Sequence, residues 1–226
     1  MFVFLDTETT GIGKEDRLCQ LAYKMEDGSV VNELFNPGRP ISIEAMRVHH
    51  ITNDMVENQP PFRQSETWQR LREVLGVDEN VLVAHNAVFD VQMLKREGII
   101  PQKYICTLKM ARYLDKDAVI PKYSLQYLRY YLDLNVKANA HDALGDLLVL
   151  EALFQRIYAK TSDEFGEDAT EKMIEISTNP LLIKRMPFGK HRGMNMKEVP
   201  VDYLQWLLST DLDGDMEYTV RYYLGL

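Results

Sequence analysis

The sequence predicts an α/β fold, a mixed sheet flanked by helices, followed by a small C-terminal α+β module. Two observations carry this prediction. Segments typical of strands come first and then alternate with segments typical of helices, which is the pattern of a sheet layered by helices. Asn179-Pro180 interrupts the chain after the last long helical region, and a stretch with its own short elements follows.

The first half of the sheet is predicted as three strands. Residues 2–5 are apolar on both faces, which indicates a central strand that is covered on both sides. Strands at 17–25 and 30–35 flank the turn Glu26-Asp27-Gly28-Ser29, so we expect an antiparallel meander. Short helical pieces over 43–56 and a helix over 62–75, which stops at Gly76, complete this half.

The second half is predicted to alternate strands and helices. The expected elements are a strand at 81–84, a helix ending near Glu97, a strand at 104–106, helices at 107–114, 124–132 and 142–160, and a further helix near 169–176. A strand at 181–188 and helices at 202–208 and 216–224 follow the interruption. We therefore expect a main domain over 1–160, a helical linker over 161–180 and a C-terminal module over 181–226.

Composition narrows the class of protein. With 226 residues and 46% hydrophobic content, the chain can bury one substantial core. It has no apolar run of membrane-spanning length and no basic, cleavable signal pattern, so we expect a cytoplasmic protein without membrane contact. Cys19 and Cys106 lack motif spacing, so both are expected to be reduced and buried.

The formal net charge of −8 argues against a binder that holds nucleic acid by a generally basic surface. It does not argue against an enzyme that holds nucleic acid through bound metal and a local basic patch. The excess acid lies in residues 1–180, because residues 181–226 contain six Lys or Arg and six Asp or Glu.

Two carboxylates, Asp6 and Glu8, end the first apolar run. Side chains two residues apart on a strand point the same way, so this pair brings two negative charges close together. Such a pair needs a cation, and hard divalent cations take carboxylate oxygens at many phosphoryl-transfer sites. The alternative for these two residues alone is a plain acidic turn.

A third acid, Asp146, lies on the apolar stripe of the helix predicted at 142–160. Burying a carboxylate there would cost several kcal/mol, on the order of any unpaired buried charge, unless it is paired or bound to metal. Asp90 follows the strand at 81–84, at an end of the sheet where sites are built, although an acid in a first helical turn also stabilises that turn. His141 precedes Asp146 and is a candidate general base, or simply a packed or solvent-facing histidine.

The joint pattern resembles a known family, the DnaQ-like 3′→5′ exonucleases with a ribonuclease H-like fold. The resemblance is carried by Leu5-Asp6-Thr7-Glu8-Thr9-Thr10-Gly11, by His85-Asn86-Ala87 followed by Phe89-Asp90, and by His141 five residues before Asp146. The last spacing matches the histidine subgroup of that family. The segment Phe188-Gly189-Lys190-His191-Arg192-Gly193 resembles the C-terminal module of exonuclease X-like members.

The resemblance implies a reaction and a set of roles. It implies hydrolysis of DNA 3′ ends, single-stranded or duplex, with release of nucleoside monophosphates and with two Mg²⁺ or Mn²⁺ ions per site. Asp6, Glu8, Asp90 and Asp146 would hold the metal, Asp6 by bridging both ions, and His141 would take a proton from the attacking water. The substrate contacts would come from the residues that shape the pocket for the terminal nucleotide: Thr9, Ile12, His49, Ile51, Asn86 and Phe89.

Several alternatives stay open at the level of sequence. The same acids serve a ribonuclease that trims RNA 3′ ends or a proofreading subunit of a polymerase, and the fold could also serve a non-catalytic adaptor to nucleic acid. Ile12 is interpreted equally as a wedge against the terminal base pair or as core packing. The basic residues Lys184, Arg185, Lys190 and Arg192 are interpreted as contacts to the DNA backbone or as a solvated turn.

Overall fold

The computed structural model describes residues 1–136 and 143–226, and in these residues one mixed sheet of five strands organises the fold. The strands are β1 (Phe2–Thr9), β2 (Leu18–Met25), β3 (Val30–Leu34), β4 (Val81–Ala84) and β5 (Lys103–Cys106). Their order across the sheet is β3-β2-β1-β4-β5. The first three strands form the predicted antiparallel meander, whereas β1, β4 and β5 are parallel neighbours.

Strand β1 is longer than its apolar run predicts. It continues through the acidic residues to Thr9, because β2 pairs with it along this whole length. The register shifts between Glu8 and Thr9, which is a bulge-type irregularity. Bulges bend a strand and redirect its side chains, and they are common beside functional sites.

The helices lie on both faces of the sheet, as the predicted α/β architecture requires. They are α1 (Ile43–His49), α2 (Asn53–Val56), α3 (Glu66–Leu75), α4 (Ala87–Arg96), α5 (Thr107–Leu114), α6 (Leu125–Tyr131), α7 (Ala143–Phe165), α8 (Ala169–Thr178), α9 (Val201–Leu207) and α10 (Gly214–Leu224). Among the described residues, none of these helices combines the length and the apolarity needed to cross a membrane.

The alternation of side chains along β1 separates two hydrophobic clusters. Phe4 points to one face, where it packs with apolar residues of α5, α6, α7 and α8. Val3 and Leu5 point to the other face and pack with residues of α3 and α4. Full burial of each such side chain stabilises the fold by about 1.5–3 kcal/mol. The strand is therefore fixed from both sides, which gives its acidic end a rigid base.

A third hydrophobic cluster lies entirely within residues 183–224 and includes Met186, Met196, Leu204 and Val220. The strand predicted at 181–188 is wrong, because only an isolated antiparallel bridge between Arg185 and Asn195 is formed there. Pro187 has no N–H group and Gly189 turns the chain at a φ of +69°, so the pairing cannot propagate. The domain boundary at 179–180 stays a prediction.

Lys109 joins the third cluster to the rest of the molecule. Its side chain is nearly buried, and its ammonium donates to the carbonyl oxygens of Ser177 (3.3 Å) and Asn179 (2.7 Å) at the end of α8. The same ammonium lies 2.9 Å from an oxygen of Asp215 in α10. A buried ion pair with further hydrogen bonds of this kind is costly to break.

Candidate active site

Three of the predicted acidic side chains converge at one end of β1. Asp6 and Glu8 lie on the same face of the strand and are half-buried. Helix α7 packs against that face and brings Asp146 to them. One carboxylate oxygen from each residue lies within 4.8 Å of the oxygens of the other two. This is the proximity that the strand and helix periodicities predict, and the role of the three residues as metal ligands stays a prediction.

This group of three carboxylates fits a hard divalent cation. Two unit charges 4.8 Å apart repel by about 3.5 kcal/mol at an effective dielectric constant of 20. Oxygen-only donors of negative charge are the ligands that Mg²⁺ and Mn²⁺ prefer. Burial, helped by the negative charge of Glu8, raises the pKa of the neighbouring Cys19 thiol to about 12. Cys19 therefore stays a neutral thiol, packed with Ile41, Ile51 and Val56.

Gln126 is a site residue that the sequence reasoning missed. Its side-chain amide on α6 donates a hydrogen bond to Oδ1 of Asp146. Its own carbonyl oxygen accepts from the guanidinium of Arg129 at 3.2 Å, and Arg129 also donates to the carbonyl of Val136 at 2.6 Å. These bonds orient the Asp146 carboxylate. A glutamine on a short helix has no signature in the sequence that would mark it for this task.

Asp90 lies apart from the three-carboxylate group. It is 4% exposed in the first turn of α4, and its Oδ1 accepts a hydrogen bond of 2.7 Å from the hydroxyl of Thr7. Thr7 stands between Asp6 and Glu8 on β1 and points to the opposite face. Burial raises the pKa of Asp90 to about 7, against the lowering effect of the Thr7 hydrogen bond. Perturbed buried acids of this kind are concentrated at functional sites.

The turn after β1 holds Ile12 out in solvent. The hydroxyl of Thr10, which is fully buried, donates to Asp16 Oδ1 at 2.7 Å, and Asp16 Oδ2 accepts from the amide of Gly13 at 2.7 Å. A Cβ at Gly11 would lie 2.6 Å from Oδ2 of Asp16, so a larger residue would push this carboxylate away from its two donors. Ile12 is 92% exposed. Core packing, one of its two interpretations, is therefore wrong.

His49 and Ile51 are buried beneath this turn, with 6% and 4% of their surfaces exposed. Nδ1 of His49 accepts from the Ile51 amide at 3.1 Å, so Nε2 carries the proton and donates to the carbonyl of Thr9 at 3.1 Å. Burial lowers the pKa of His49 and favours this neutral form. His49 and Ile51 thus support the turn through the carbonyl of Thr9. The hydroxyl of Thr9 donates to the carbonyl oxygen of Gly11 at 2.7 Å.

Asn86 and Phe89 line the approach from the α4 side. Asn86 is exposed and occupies the left-handed region, with a φ of +63°, immediately before α4. A side chain other than glycine in that region is strained, and such strain collects at functional sites. Phe89 is half-buried against the second hydrophobic cluster. Asn86 is thus exposed to solvent at the start of the helix that carries Asp90.

His85 fixes the backbone before Asn86. Its Nε2 lies 2.8 Å from the carbonyl oxygen of Tyr123 and therefore donates, which leaves Nδ1 to accept from the hydroxyl of Thr107 at 2.9 Å. Burial lowers the pKa of His85 to about 4, so the ring is neutral. His141, the predicted general base, lies outside the described residues.

The four basic residues of the C-terminal stretch differ in their surroundings. Lys184 donates to the carbonyls of Asp115 (3.3 Å) and Lys116, and Arg185 donates to the carbonyls of Ala118 (2.8 Å) and Gly193 (3.0 Å). Lys190 lies 5.0 Å from the centre of the Tyr203 ring. Arg192 is exposed. Two of the four cations are thus already used to fasten the C-terminal residues to the turn at 115–118.

Comparison with known proteins agrees with this geometry. A family model described as exonuclease matches residues 3–154, which is more than half of the chain. A second model, for a virulence factor regulated by quorum sensing, matches only residues 172–212. The first match covers β1 through most of α7 and therefore includes Asp6, Glu8, Asp90 and Asp146.

Individual relatives cover different parts of the chain. Exodeoxyribonuclease 10 of Escherichia coli K12 is 32% identical over 99% of this chain and 99% of its own length. The DNA polymerase III subunit epsilon of Treponema pallidum is 34% identical, over 73% of this chain and 80% of its own. The solved structure of exonuclease X in complex with 5′ overhanging duplex DNA superimposes with a TM-score of 0.61 at 31% identity, covering 78% of this chain and 99% of that one. This chain belongs to the exonuclease family, as an enzyme of the DnaQ-like 3′→5′ type.

Proposed function

We propose that this protein is an exodeoxyribonuclease that shortens DNA from the 3′ end and depends on two Mg²⁺ or Mn²⁺ ions. The observation that carries the proposal is the group of three carboxylates, whose oxygens lie within 4.8 Å of one another. Its chemistry suits divalent cations, and phosphodiester hydrolysis is the reaction that such sites serve in exonucleases. DNA is favoured as the substrate because a relative that matches 99% of the chain is an exodeoxyribonuclease.

The acids divide the work of holding the cations. Asp6, Glu8 and Asp146 are the proposed ligands, and Asp90, which is buried beside Thr7, would support the second cation. When bound, the cations supply charge that favours a nucleophilic water and stabilises the oxygen that leaves. Gln126 holds the Asp146 carboxylate in the orientation that a ligand needs.

The reaction is hydrolysis of the last phosphodiester. Water attacks the phosphorus and the bond from phosphorus to the 3′ oxygen breaks, which releases a nucleoside 5′-monophosphate and leaves a new 3′ hydroxyl on the strand. His141 takes the proton from the attacking water. With an ordinary pKa of about 6.5, a histidine is largely neutral at physiological pH and can accept this proton.

The terminal nucleotide rests against the turn at 9–12 and the residues before α4. Asn86 offers an exposed amide, and Phe89 packs against the sugar or base. His49 and Ile51 keep the Thr9 carbonyl in position from below. Ile12, which is 92% exposed on a rigid turn, wedges against the terminal base pair of a duplex.

Incubation with labelled oligonucleotides tests the proposal. Single-stranded DNA, duplex DNA and RNA of one sequence, labelled at the 5′ end in one set and at the 3′ end in another, are incubated with Mg²⁺, Mn²⁺ or EDTA. We expect the 3′ label to appear first as a mononucleotide, only with metal and faster from DNA than from RNA. Asp146→Asn should abolish release, whereas Glu73→Gln, at an exposed acid on α3, should not. Faster release from RNA would identify a ribonuclease, and no release by the unmodified protein would refute catalysis.

A further inference from the structure

A large cleft opens between the exonuclease fold and the C-terminal residues. Its volume is about 1230 Å³, which exceeds the ~300–1,000 Å³ of typical small-molecule sites. One wall comes from the connection between α5 and α6, and the opposite wall comes from residues 182–187 and 192–193. His85 and Asn86 line it as well, so the cleft leads away from the site where the terminal nucleotide is proposed to bind.

The charge of the cleft is opposite to that of the whole molecule. Among the described residues that line it, five are cationic, namely Arg112, Lys122, Lys184, Arg185 and Arg192, and two are acidic, namely Asp115 and Asp213. The chain as a whole has a formal net charge of −8. A local excess of positive charge in an acidic protein marks a place that attracts an anion.

Both acids in the cleft are used for internal hydrogen bonds. Asp115 accepts from the amides of Val119 (3.0 Å) and Ile120 (2.8 Å) and from the hydroxyl of Tyr123 (2.6 Å). Asp213 caps α10 by accepting from the amide of Met216 at 2.7 Å. The negative charge of both carboxylates is therefore partly balanced by donors of the protein itself.

Three of the cations, in contrast, are available. Arg112, Lys122 and Arg192 make no hydrogen bond or ion pair through their side chains to any described residue. Arg112 only lies over the Tyr123 ring, at 5.7 Å from its centre, and Lys122 over the Tyr127 ring, at 5.8 Å. Lys122 and Arg192 are exposed, and Arg112 is half-exposed. These three side chains can each meet a phosphate, whereas Lys184 and Arg185 hold the two walls together.

The remaining lining is largely apolar. Val119, Ile120 and Pro121 face the cleft from one wall, and Leu182 and Met186 face it from the other. A single strand can place the faces of its unstacked bases on such a surface, as strand-binding grooves allow with their aromatic and apolar residues. A duplex hides these faces and would meet the cleft only through its backbone.

We infer that this cleft binds the single-stranded DNA that leads to the 3′ end, with Arg112, Lys122 and Arg192 contacting its phosphates. The inference rests on the proposed function, since it extends the path of the strand from Asn86 into the cleft. The His85 hydrogen bond to Tyr123 joins the two regions, because it ties the residue beside Asn86 to the wall that contains Lys122. The C-terminal residues thus complete a channel for the substrate.

A triple variant with Arg112→Gln, Lys122→Gln and Arg192→Gln tests the inference. Its matched control replaces Arg70, Lys160 and Lys197 by Gln, since these are exposed cations that do not line the cleft. Binding of a labelled 20-nucleotide single strand is measured with Ca²⁺ in place of Mg²⁺ at several salt concentrations. The logarithm of the binding constant falls as the logarithm of the salt concentration rises. Loss of three contacts to a single strand should make this slope less steep by about 2 and weaken binding about tenfold or more. The control should keep the slope of the unmodified protein.

A second measurement separates this channel from the catalytic site. The rate constants kcat/KM are compared for the 20-nucleotide strand and for the p-nitrophenyl ester of thymidine 5′-monophosphate, which has no strand to reach the cleft. If the cleft binds the strand, kcat/KM of the triple variant should fall at least about ten times more for the 20-nucleotide strand than for the ester. Equal losses on both substrates, or an unchanged salt slope, would overturn it.

The double variant Lys122→Gln with Arg192→Gln, which leaves Arg112 on Tyr123, guards against misfolding and should lower the slope by about 1.4. An unmodified protein that hydrolyses neither substrate would refute the proposed function instead, and the slope would still report on the channel.

Discussion

The variant Asp146→Asn should be more stable than the unmodified protein in the absence of metal, and it should no longer bind metal. In Asp146→Asn, two like-charge pairs disappear, each with carboxylate oxygens no more than 4.8 Å apart. Each pair is worth about 0.9 kcal/mol at the dielectric constant of bulk water and about 3.5 kcal/mol at an effective value of 20. The relief is therefore at least about 2 kcal/mol.

The hydrogen bond from Gln126 opposes this gain. Gln126 donates to the charged carboxylate of Asp146, and its bond to a neutral amide is weaker by about 1 kcal/mol. The two repulsions and this hydrogen bond together leave a gain of about 1 kcal/mol in the free energy of unfolding. For a chain of this length, a gain of this size raises Tm by about 2–4 °C.

Metal reverses the order of the two proteins. A cation that binds the folded unmodified protein at 100 times its Kd stabilises it by about 2.7 kcal/mol, whereas the variant has lost a ligand and gains little. Thermal unfolding followed by circular dichroism, with EDTA and then with 10 mM Mg²⁺ or Mn²⁺, measures both effects. Glu73→Gln is the control and should behave as the unmodified protein in both buffers. The reasoning fails if Asp146→Asn melts lower than the unmodified protein in EDTA or keeps the full metal-induced shift.

Three further outcomes are expected. His141→Ala should lose most turnover but keep the metal-induced rise in Tm and the binding of DNA, and full activity at neutral pH would remove His141 from the mechanism. Ile12→Ala should slow digestion of duplex 3′ ends more than that of single-stranded ends, since the wedge is needed only where a base pair must open; an unchanged ratio in the same digestion assay would contradict the wedge. In the folded protein the pKa of His85 is about 4, whereas in the unfolded chain it is near 6.5. Between these values only the unfolded chain takes up the proton, so the contribution of His85 to the free energy of unfolding is lost as the pH falls from 6.5 to 4. The stability difference between the unmodified protein and His85→Gln in urea unfolding should therefore shrink from pH 7 to pH 4.5, and a constant difference would contradict the assignment.

The sequence was enough to predict the acids whose positions follow the repeat of a strand or a helix. Asp6 and Glu8 follow the alternation of a strand, and Asp146 follows the apolar stripe of a helix, so elementary geometry was enough to bring them together. Propensity alone would have ended β1 at residue 5, because Asp and Glu are depleted in strands. The ladder with β2 overrides that preference and carries β1 to Thr9.

The other features of the site could not be predicted, because they depend on contacts between residues that are distant in the sequence. Gln126 meets Asp146 across 20 residues, and Asp16 supports the turn of Ile12 only because Thr10 and Gly13 present donors to it. His49 was expected to contact the terminal nucleotide, yet the structure buries it under Thr9. Motif similarity reports which residues belong to a site but not which of them face the substrate.

The ammonium of Lys109 has a consequence for how the molecule comes apart. If residues 181–226 unfolded alone, Lys109 would lose Asp215 and keep only the carbonyl oxygens of Ser177 and Asn179 as partners. Loss of one partner from a buried ion pair costs about 3–5 kcal/mol, which is a large share of the free energy of unfolding of an ordinary domain. We therefore expect the C-terminal residues and the exonuclease fold to melt in one cooperative transition. Shortening the chain at residue 180 would weaken the whole fold, so loss of activity in the shortened chain would measure lost stability as well as lost contacts to DNA.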